Sequence, residues 1–273
     1  MVGKNSNRGA SERAQRAARF LLDGHRADQA FAAIPKECAP RSADEAYQVQ
    51  DAFHMLNARL QGEVVGYKVA LTTAVMQQMV GYNEPIPGAI FADTVHASPA
   101  SVACSAYMHL GVECEIAVRL AHDLGADAAP YTRTSVMNAV GEVMAAFELV
   151  DDRKVDYKAF SSNILSFIGD NAWNAGVVLG RPALNWRELD LAAARGVMQI
   201  NDVEVAEGIG ADVMGHPLDA LAWLANVQAN RGNFLKAGMV VMTGSIIATR
   251  FVVPGDTVRF SLDGMADLQL HIV

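Results

Sequence analysis

The sequence predicts an α+β fold, with a helical N-terminal region over residues 1–62 joined to a β-rich body over residues 63–273. Three observations predict it. Helical spacing of apolar residues and a capping-box pattern are concentrated before Gly62. Two-residue alternation of apolar and polar side chains takes over after it, and Pro, Gly and Asp punctuate short apolar runs toward the C terminus. With 51% hydrophobic and 19% charged residues, the 273-residue chain has material for a real core and is excluded from the disordered class.

Residues 1 to about 10 are polar and read as a mobile tail. Ser11 to about His25 carries Ala14, Ala17, Ala18, Phe20 and Leu21 at helical spacing. Ser42-Ala43-Asp44-Glu45 matches a capping box opening a helix to about Leu60, which would bury Ala46, Val49, Phe53, Leu56 and Leu60. Val64 to Leu71 reads as a strand with Lys68 on the face opposite Tyr67 and Val69. A short helix from about Thr73 to Val80 and a Pro/Gly loop from Glu84 to Gly88 follow, then a strand around Glu113. Ser135 to about Ala145 is expected to be helical, leading into Ala146-Phe147-Glu148-Leu149-Val150. Gly176–Leu179 and Gly196–Ile200 read as strands, with Asn201-Asp202 as a hairpin turn. Pro217 opens a helix with Leu218, Leu221, Trp223, Leu224 and Val227 on its apolar stripe. Strands are expected at Val240–Thr243, Ile247–Val253, Thr257–Leu262 and Leu268–Ile272, separated by turns at Pro254-Gly255-Asp256 and Asp263-Gly264.

Thirty acidic against 22 basic residues give a net charge of −8, which argues against nucleic acid as a partner. No apolar run has the length of a membrane span, and the polar N terminus lacks a signal-peptide core. Cys38, Cys104 and Cys114 form no Cys-x-x-Cys pattern and read as reduced thiols, so a cytoplasmic location is expected.

The chemistry concentrates in Leu110–Leu120. Glu113 and Glu115 lie two residues apart in an otherwise apolar strand, so they project side by side while Val112, Cys114 and Ile116 fill the other face. Two like charges there cost several kcal/mol, roughly, without a compensating cation. With Glu148 they form a candidate site for a hard ion, Mg²⁺ or Mn²⁺. The alternative is three glutamates facing solvent from a half-exposed sheet. Lys68 is either a snorkelling lysine or a site residue. Asp170-Asn171 sits in a tight turn, and Thr243-Gly244-Ser245 leaves a strand with small groups suited to a substrate carboxylate or to a cap. His216 before Pro217 reads as structural, and Gly208-Ile209-Gly210 lacks the context of a dinucleotide fingerprint.

In order along the chain stand Gly-Tyr-Lys-Val-Ala-Leu-Thr (66–72), Gly-Val-Glu-Cys-Glu-Ile-Ala (111–117), Phe-Glu-Leu-Val-Asp-Asp-Arg (147–153) and Gly-Asp-Asn-Ala (169–172). Gly-His-Pro-Leu-Asp-Ala-Leu-Ala-Trp-Leu-Ala-Asn (215–226) and Met-Thr-Gly-Ser (242–245) follow. From roughly Gln50 to the C terminus this series resembles the fumarylacetoacetate hydrolase superfamily, in its 2-keto-4-pentenoate hydratase and 4-oxalocrotonate decarboxylase branch. The resemblance implies a mixed β-sheet roll around Mg²⁺ or Mn²⁺ held by Glu113, Glu115 and Glu148. It also implies Lys68 and Asp170 as catalytic residues and Leu71, Thr72, Thr243, Gly244 and Ser245 as substrate-binding residues. Its implied partners are a small 2-oxo- or 2-hydroxy-enoic acid, further copies of the chain in a homo-oligomer, and a paralogous hydratase or decarboxylase.

Two departures stand out. Hydratases of this branch tend to carry Pro-Asp-Phe-Gly where this chain has Pro85-Ile86-Pro87-Gly88, a sequence closer to the decarboxylases. Asp263-Gly264-Met265-Ala266 lacks a further glycine, which touches only a turn. The leading reading is a hydratase acting on 2-hydroxypenta-2,4-dienoate-like products of aromatic ring cleavage, and the alternative is a 2-oxo-enedioate decarboxylase. C–C hydrolysis of an acylpyruvate needs a water-activating His–Glu pair, and neither His54 nor His109 shows a partner in the sequence. A non-catalytic subunit is opposed by the intact lysine and glutamates.

Overall fold

The computed structural model describes residues 11–273; the tail expected before them lies outside this range. Helix α1 (Glu12–Arg26) is capped by the Ser11 side chain, which accepts the Ala14 N–H, and it buries Ala14, Ala17, Ala18 and Leu21. Helix α2 (Ala43–Gln61) is capped by Ser42, but only half of the expected capping box forms. The Glu45 carboxylate accepts from the backbone and guanidinium of Arg41 instead of reaching the Ser42 N–H. The inward line of α2 runs through Ala46, Val49, Phe53 and Asn57 toward Gln61, so Leu60, expected to be buried, is 51% exposed. Packed together, the two helices enclose a cluster that includes Leu21, Ile34, Val49 and Phe53. Gln50, fully buried, ties α2 to the body by donating to the carbonyls of Pro87 and Ile168 at 2.7 and 2.9 Å.

The body begins with β1 (Val64–Ala70), α3 (Ala74–Val80), β2 (Ile86–Phe91), β3 (Val95–Ala97), β4 (Ala100–Val102) and β5 (Leu110–Leu120). It continues through α4 (Arg133–Met137), β6 (Val140–Asp151), α5 (Ile164–Gly169), β7 (Asn174–Leu179), β8 (Arg195–Ile200) and β9 (Val203–Ile209). Helix α6 (Pro217–Asn230), β10 (Val240–Phe251), β11 (Thr257–Leu262) and β12 (Leu268–Ile272) complete it.

Three expectations are corrected. The helix expected from Ser135 to Ala145 is confined to Arg133–Met137, and strand begins at Val140, because β6 pairs with β5 along its whole length and this ladder overrides the helix propensity of Met and Ala. The loop at Glu84–Gly88 already enters β2 at Ile86; Pro87 is tolerated because β2 is an edge strand. The strands expected at Val240–Thr243 and Ile247–Val253 are one strand that ends at Phe251 and shifts register around Gly244.

Seven strands form one sheet in the order β2-β1-β10-β5-β6-β7-β3, and five form a second in the order β4-β12-β11-β8-β9. Both are mixed: β1/β10, β3/β7 and β4/β12 are parallel, and the other pairs are antiparallel. Val112, Cys114, Ile116 and Phe147 of the larger sheet share a core with Met198, Phe260 and Leu270 of the smaller one. The opposite face of β5 and β6 is left for Glu113, Glu115 and Glu148. Asn201 and Asp202, with φ of 54° and 63°, make the expected tight turn between β8 and β9. His216 caps α6, its Nδ1 accepting the Leu218 N–H at 3.0 Å. No helix among the described residues is long and apolar enough to cross a membrane.

Candidate active site

Strand register assembles the acids. Glu113 of β5 lies opposite Glu148 of β6, and Glu115 opposite Ala146, so all three carboxylates share one face. One oxygen from each lies within 4.8 Å of the others. Strand β10 separates β5 from β1, and β1 delivers Lys68, whose Nζ stands 2.8 Å from Glu148 Oε1. That oxygen also accepts from Asn174 Nδ2 at 3.0 Å. Glu115 Oε2 accepts the Gly244 N–H at 2.7 Å, and Glu113 Oε1 accepts from the Thr249 hydroxyl. Glu115 Oε1 and Glu148 Oε2 are buried with no hydrogen-bond partner.

The electrostatics demand a further cation. Burial, then repulsion from Glu148 and Glu113, pushes the Glu115 carboxyl well above its usual range. Glu113 is raised by burial and by Glu148, only partly offset by Lys68. Burial alone would lower the Lys68 ammonium, but the Glu148, Glu113 and Glu115 carboxylates outweigh it and raise its pKa, so Lys68 stays charged. One ammonium cannot neutralise three carboxylates. Two orphaned buried carboxylate oxygens and an all-oxygen donor set fit Mg²⁺ or Mn²⁺, and Glu113, half-buried, keeps one side of the cluster open to the adjoining cavity.

That cavity measures about 470 Å³ and runs outward from Lys68 and Glu113. Leu71, Thr72 and Ser245 line it. Thr243 and Gly244, expected beside them, are committed elsewhere: the buried Thr243 hydroxyl donates to the Ile116 carbonyl at 2.7 Å, and Gly244 serves Glu115 through its backbone. At Gly244, φ is +120° and a Cβ would fall 2.5 Å from Thr72 Cγ2, so only glycine fits the bulge that brings its N–H to Glu115. Ile86 is buried against Leu71, Phe167 and Trp173, backing the cavity wall.

Asp170 and Lys68 have different ion-pair partners. The Asp170 carboxylate pairs with His25 Nε2 at 2.6 Å and with the buried Arg153 guanidinium, and it lines a separate polar cavity of about 190 Å³. Asn171, Ala172 and Trp173, which follow it, all have positive φ, and this turn forms the wall between the two cavities. Asn171 holds the turn to β2: its Oδ1 accepts the Ala89 N–H at 2.6 Å, and its Nδ2 donates to the Ala89 carbonyl at 2.9 Å. His54 Nε2 donates to the same Oδ1 at 2.7 Å, and burial lowers the His54 pKa to about 4, keeping the ring neutral. His109 has the acidic partner that was not evident in the sequence: its Nδ1 lies 2.8 Å from Asp152 Oδ1. Its ring stacks on Phe251 outside the carboxylate cluster. The site roles of His25, Arg153 and the cavity-lining side chains of α3 were missed in the sequence, where nothing local marks them; only Arg153 sits in a noted motif, and His54 was weighed there only as a base without a partner.

A family model described as fumarylacetoacetate (FAA) hydrolase C-terminal matches residues 68–273. The 2-keto-4-pentenoate hydratase of Paraburkholderia xenovorans (strain LB400) is 29% identical over 255 residues, covering 93% of each chain. The 4-oxalocrotonate decarboxylase of Pseudomonas putida is 32% identical over 230 residues, covering 84% of this chain and 85% of the relative. Among solved structures, 4-oxalocrotonate decarboxylase from Pseudomonas putida G7, complexed with magnesium and adipate, superposes with a TM-score of 0.88 at 28% identity, covering 96% of this chain and 98% of that one. The chain belongs to the fumarylacetoacetate hydrolase family.

Proposed function

We propose that this member of the fumarylacetoacetate hydrolase family is a divalent-metal-dependent lyase that adds water to a 2-hydroxypenta-2,4-dienoate-like acid from aromatic meta-cleavage catabolism. The observation that carries the reading is the pair of orphaned oxygens, Glu115 Oε1 and Glu148 Oε2, beside the charged Lys68 at one end of an otherwise apolar cavity. Glu113, Glu115 and Glu148 would hold Mg²⁺ or Mn²⁺. When bound, the ion supplies a Lewis acid next to the 2-oxo oxygen, where negative charge develops.

Lys68 brings a fixed positive charge to the same place. Its ammonium hydrogen-bonds the developing C2 oxyanion or passes a proton, a contribution of about 10²–10⁴-fold for a positioned group. Thr72 supplies a hydroxyl in the cavity lining for the substrate carboxylate, whereas the Ser245 hydroxyl already donates to the Ile247 carbonyl. Asp170 acts one step back, holding Arg153 and His25 and with them the turn that shapes the cavity wall.

Water addition is favoured over loss of a distal carboxylate by the lining. Lys68 is its one cationic residue among those described, and it already faces Glu148, so a second carboxylate has no counter-charge. The decarboxylase reading keeps the support of Ile86 and of the relatives of that name. The discriminating experiment incubates the metal-loaded protein with 2-hydroxypenta-2,4-dienoate and, separately, with 2-oxohex-3-enedioate, following dienol loss and CO₂ release. Dienol loss without CO₂ supports the hydratase; CO₂ from the diacid establishes the decarboxylase; inertness toward both overturns the lyase reading. The reading also includes a homo-oligomer in the cytoplasm, and light scattering on the purified protein tests the first part.

A further inference from the structure

A five-carbon acid leaves most of the cavity empty. At about 470 Å³ it falls in the range of pockets that take drug-sized ligands. Beyond Lys68 and Glu113 its walls are Met76 and Met79 of α3 on one side and Val150, Phe160, Phe167 and Trp173 on the other. Besides those two residues, the only charged residue among its described lining is Asp212, another acid. The chemistry is therefore graded from a carboxylate- and metal-binding end to an apolar one.

Helix α3 is unusual in the same way. Its seven residues, Ala-Val-Met-Gln-Gln-Met-Val, carry no charge, and Val75 and Met79 are 74% and 60% exposed although both line the cavity. Apolar side chains that face both a cavity and water gain by being covered when the cavity fills. Methionines, with three rotatable bonds, can adjust to an irregular occupant. Across from them Phe160, Phe167 and Trp173 form a mutually packed aromatic wall, with Trp173 4.6 Å from Phe167 and 5.0 Å from Phe160 between ring centroids.

We infer that the substrate carries an uncharged apolar substituent, alkyl or aryl, at the end distal to its 2-oxo acid, seated between α3 and the Phe160–Phe167–Trp173 wall. The inference rests on the proposed function for placing the acid end at Lys68 and the three glutamates. It deepens that reading by excluding a terminal carboxylate, for which the described lining offers no cation besides Lys68.

The test is a binding series by titration calorimetry on the Mg²⁺-loaded protein, using saturated 2-oxo acids that resist turnover. Burying one methylene strengthens binding about fourfold, so 2-oxooctanoate, three methylenes longer, should bind roughly 60-fold more tightly than 2-oxopentanoate. The diacid 2-oxohexanedioate should bind more weakly than 2-oxohexanoate. In Met79→Glu, shown to be folded by its melting curve, the gain per methylene should shrink. A flat series, no binding by any member, or tighter binding of the diacid (as expected if the unpartnered Trp173 N–H receives a distal carboxylate) overturns the inference. Turnover of 2-hydroxypenta-2,4-dienoate judges the reaction separately. Water addition with a flat series retains the lyase and removes the apolar tail; a steep series without turnover does the reverse.

Discussion

Replacing Glu115 by glutamine should affect the metal-free and metal-loaded proteins in opposite directions. Glu115 is completely buried; one oxygen accepts the Gly244 N–H and the other has no partner. Glutamine keeps a carbonyl oxygen for Gly244 and removes a negative charge that burial, Glu148 and Glu113 all disfavour. With metal chelated, the variant should therefore be more stable, by about 1–3 kcal/mol for relief of one poorly solvated polar group. For a chain of this size that raises the melting temperature by about 2–10 °C. With Mg²⁺ or Mn²⁺ added the order should reverse. Wild type gains stability as RT ln(1 + [L]/Kd), whereas the variant, lacking one of three anionic ligands, should lose on the order of 100-fold or more in affinity. The assay is a pair of thermal melts, in chelator and in excess metal. A chelated variant that melts below chelated wild type would refute the strain argument, and an equal rise with metal in both proteins would refute the ligand assignment.

The metal-free protein should lose stability as pH rises. Glu113 and Glu115 are raised in the folded state, so their contribution is fully present below about pH 4.5 and disappears as pH climbs through the folded values; the slope is about 1.4 kcal/mol per pH unit for each proton held in excess by the folded state. Melts across pH should show this decline, and metal should flatten it. Lys68→Met should lower kcat by about 10²–10⁴-fold, read by steady-state loss of the dienol; unchanged kcat would remove Lys68 from the chemistry. Asp170→Asn leaves the buried Arg153 without its carboxylate and should cost about 3–5 kcal/mol of stability. A variant that melts like wild type yet no longer turns over would instead place Asp170 on the substrate. Gly244→Ala forces a Cβ to within 2.6 Å of Thr72 Oγ1 and should weaken metal binding through displacement of the N–H held by Glu115, measured by calorimetry.

What was legible in the sequence follows from the range of the forces involved. Glu113 and Glu115 were readable as a pair because alternation along one strand is a local rule, and the turn at Asn201-Asp202 and the cap at His216-Pro217 were readable for the same reason. The strand at Val140–Ala145 was not, because Glu142, Met144 and Ala145 are helix formers and the segment is fixed as strand through pairing with β5. Asp170 shows the same limit at the site. Read from its neighbours it is an acid that stabilises a turn, and the family resemblance alone implied a catalytic role. In the fold, residues 145 and 17 positions away, His25 and Arg153, occupy its two oxygens. A carboxylate held on both oxygens by a buried guanidinium and an imidazole is committed to those two partners. It is well placed to fix three successive residues in the left-handed region, a conformation that needs surrounding structure to over-determine it. Those residues include Ala172 and Trp173, which line the cavity. We propose that this acid contributes through the shape of the space in which the substrate lies, which the melt and turnover of Asp170→Asn decide between them.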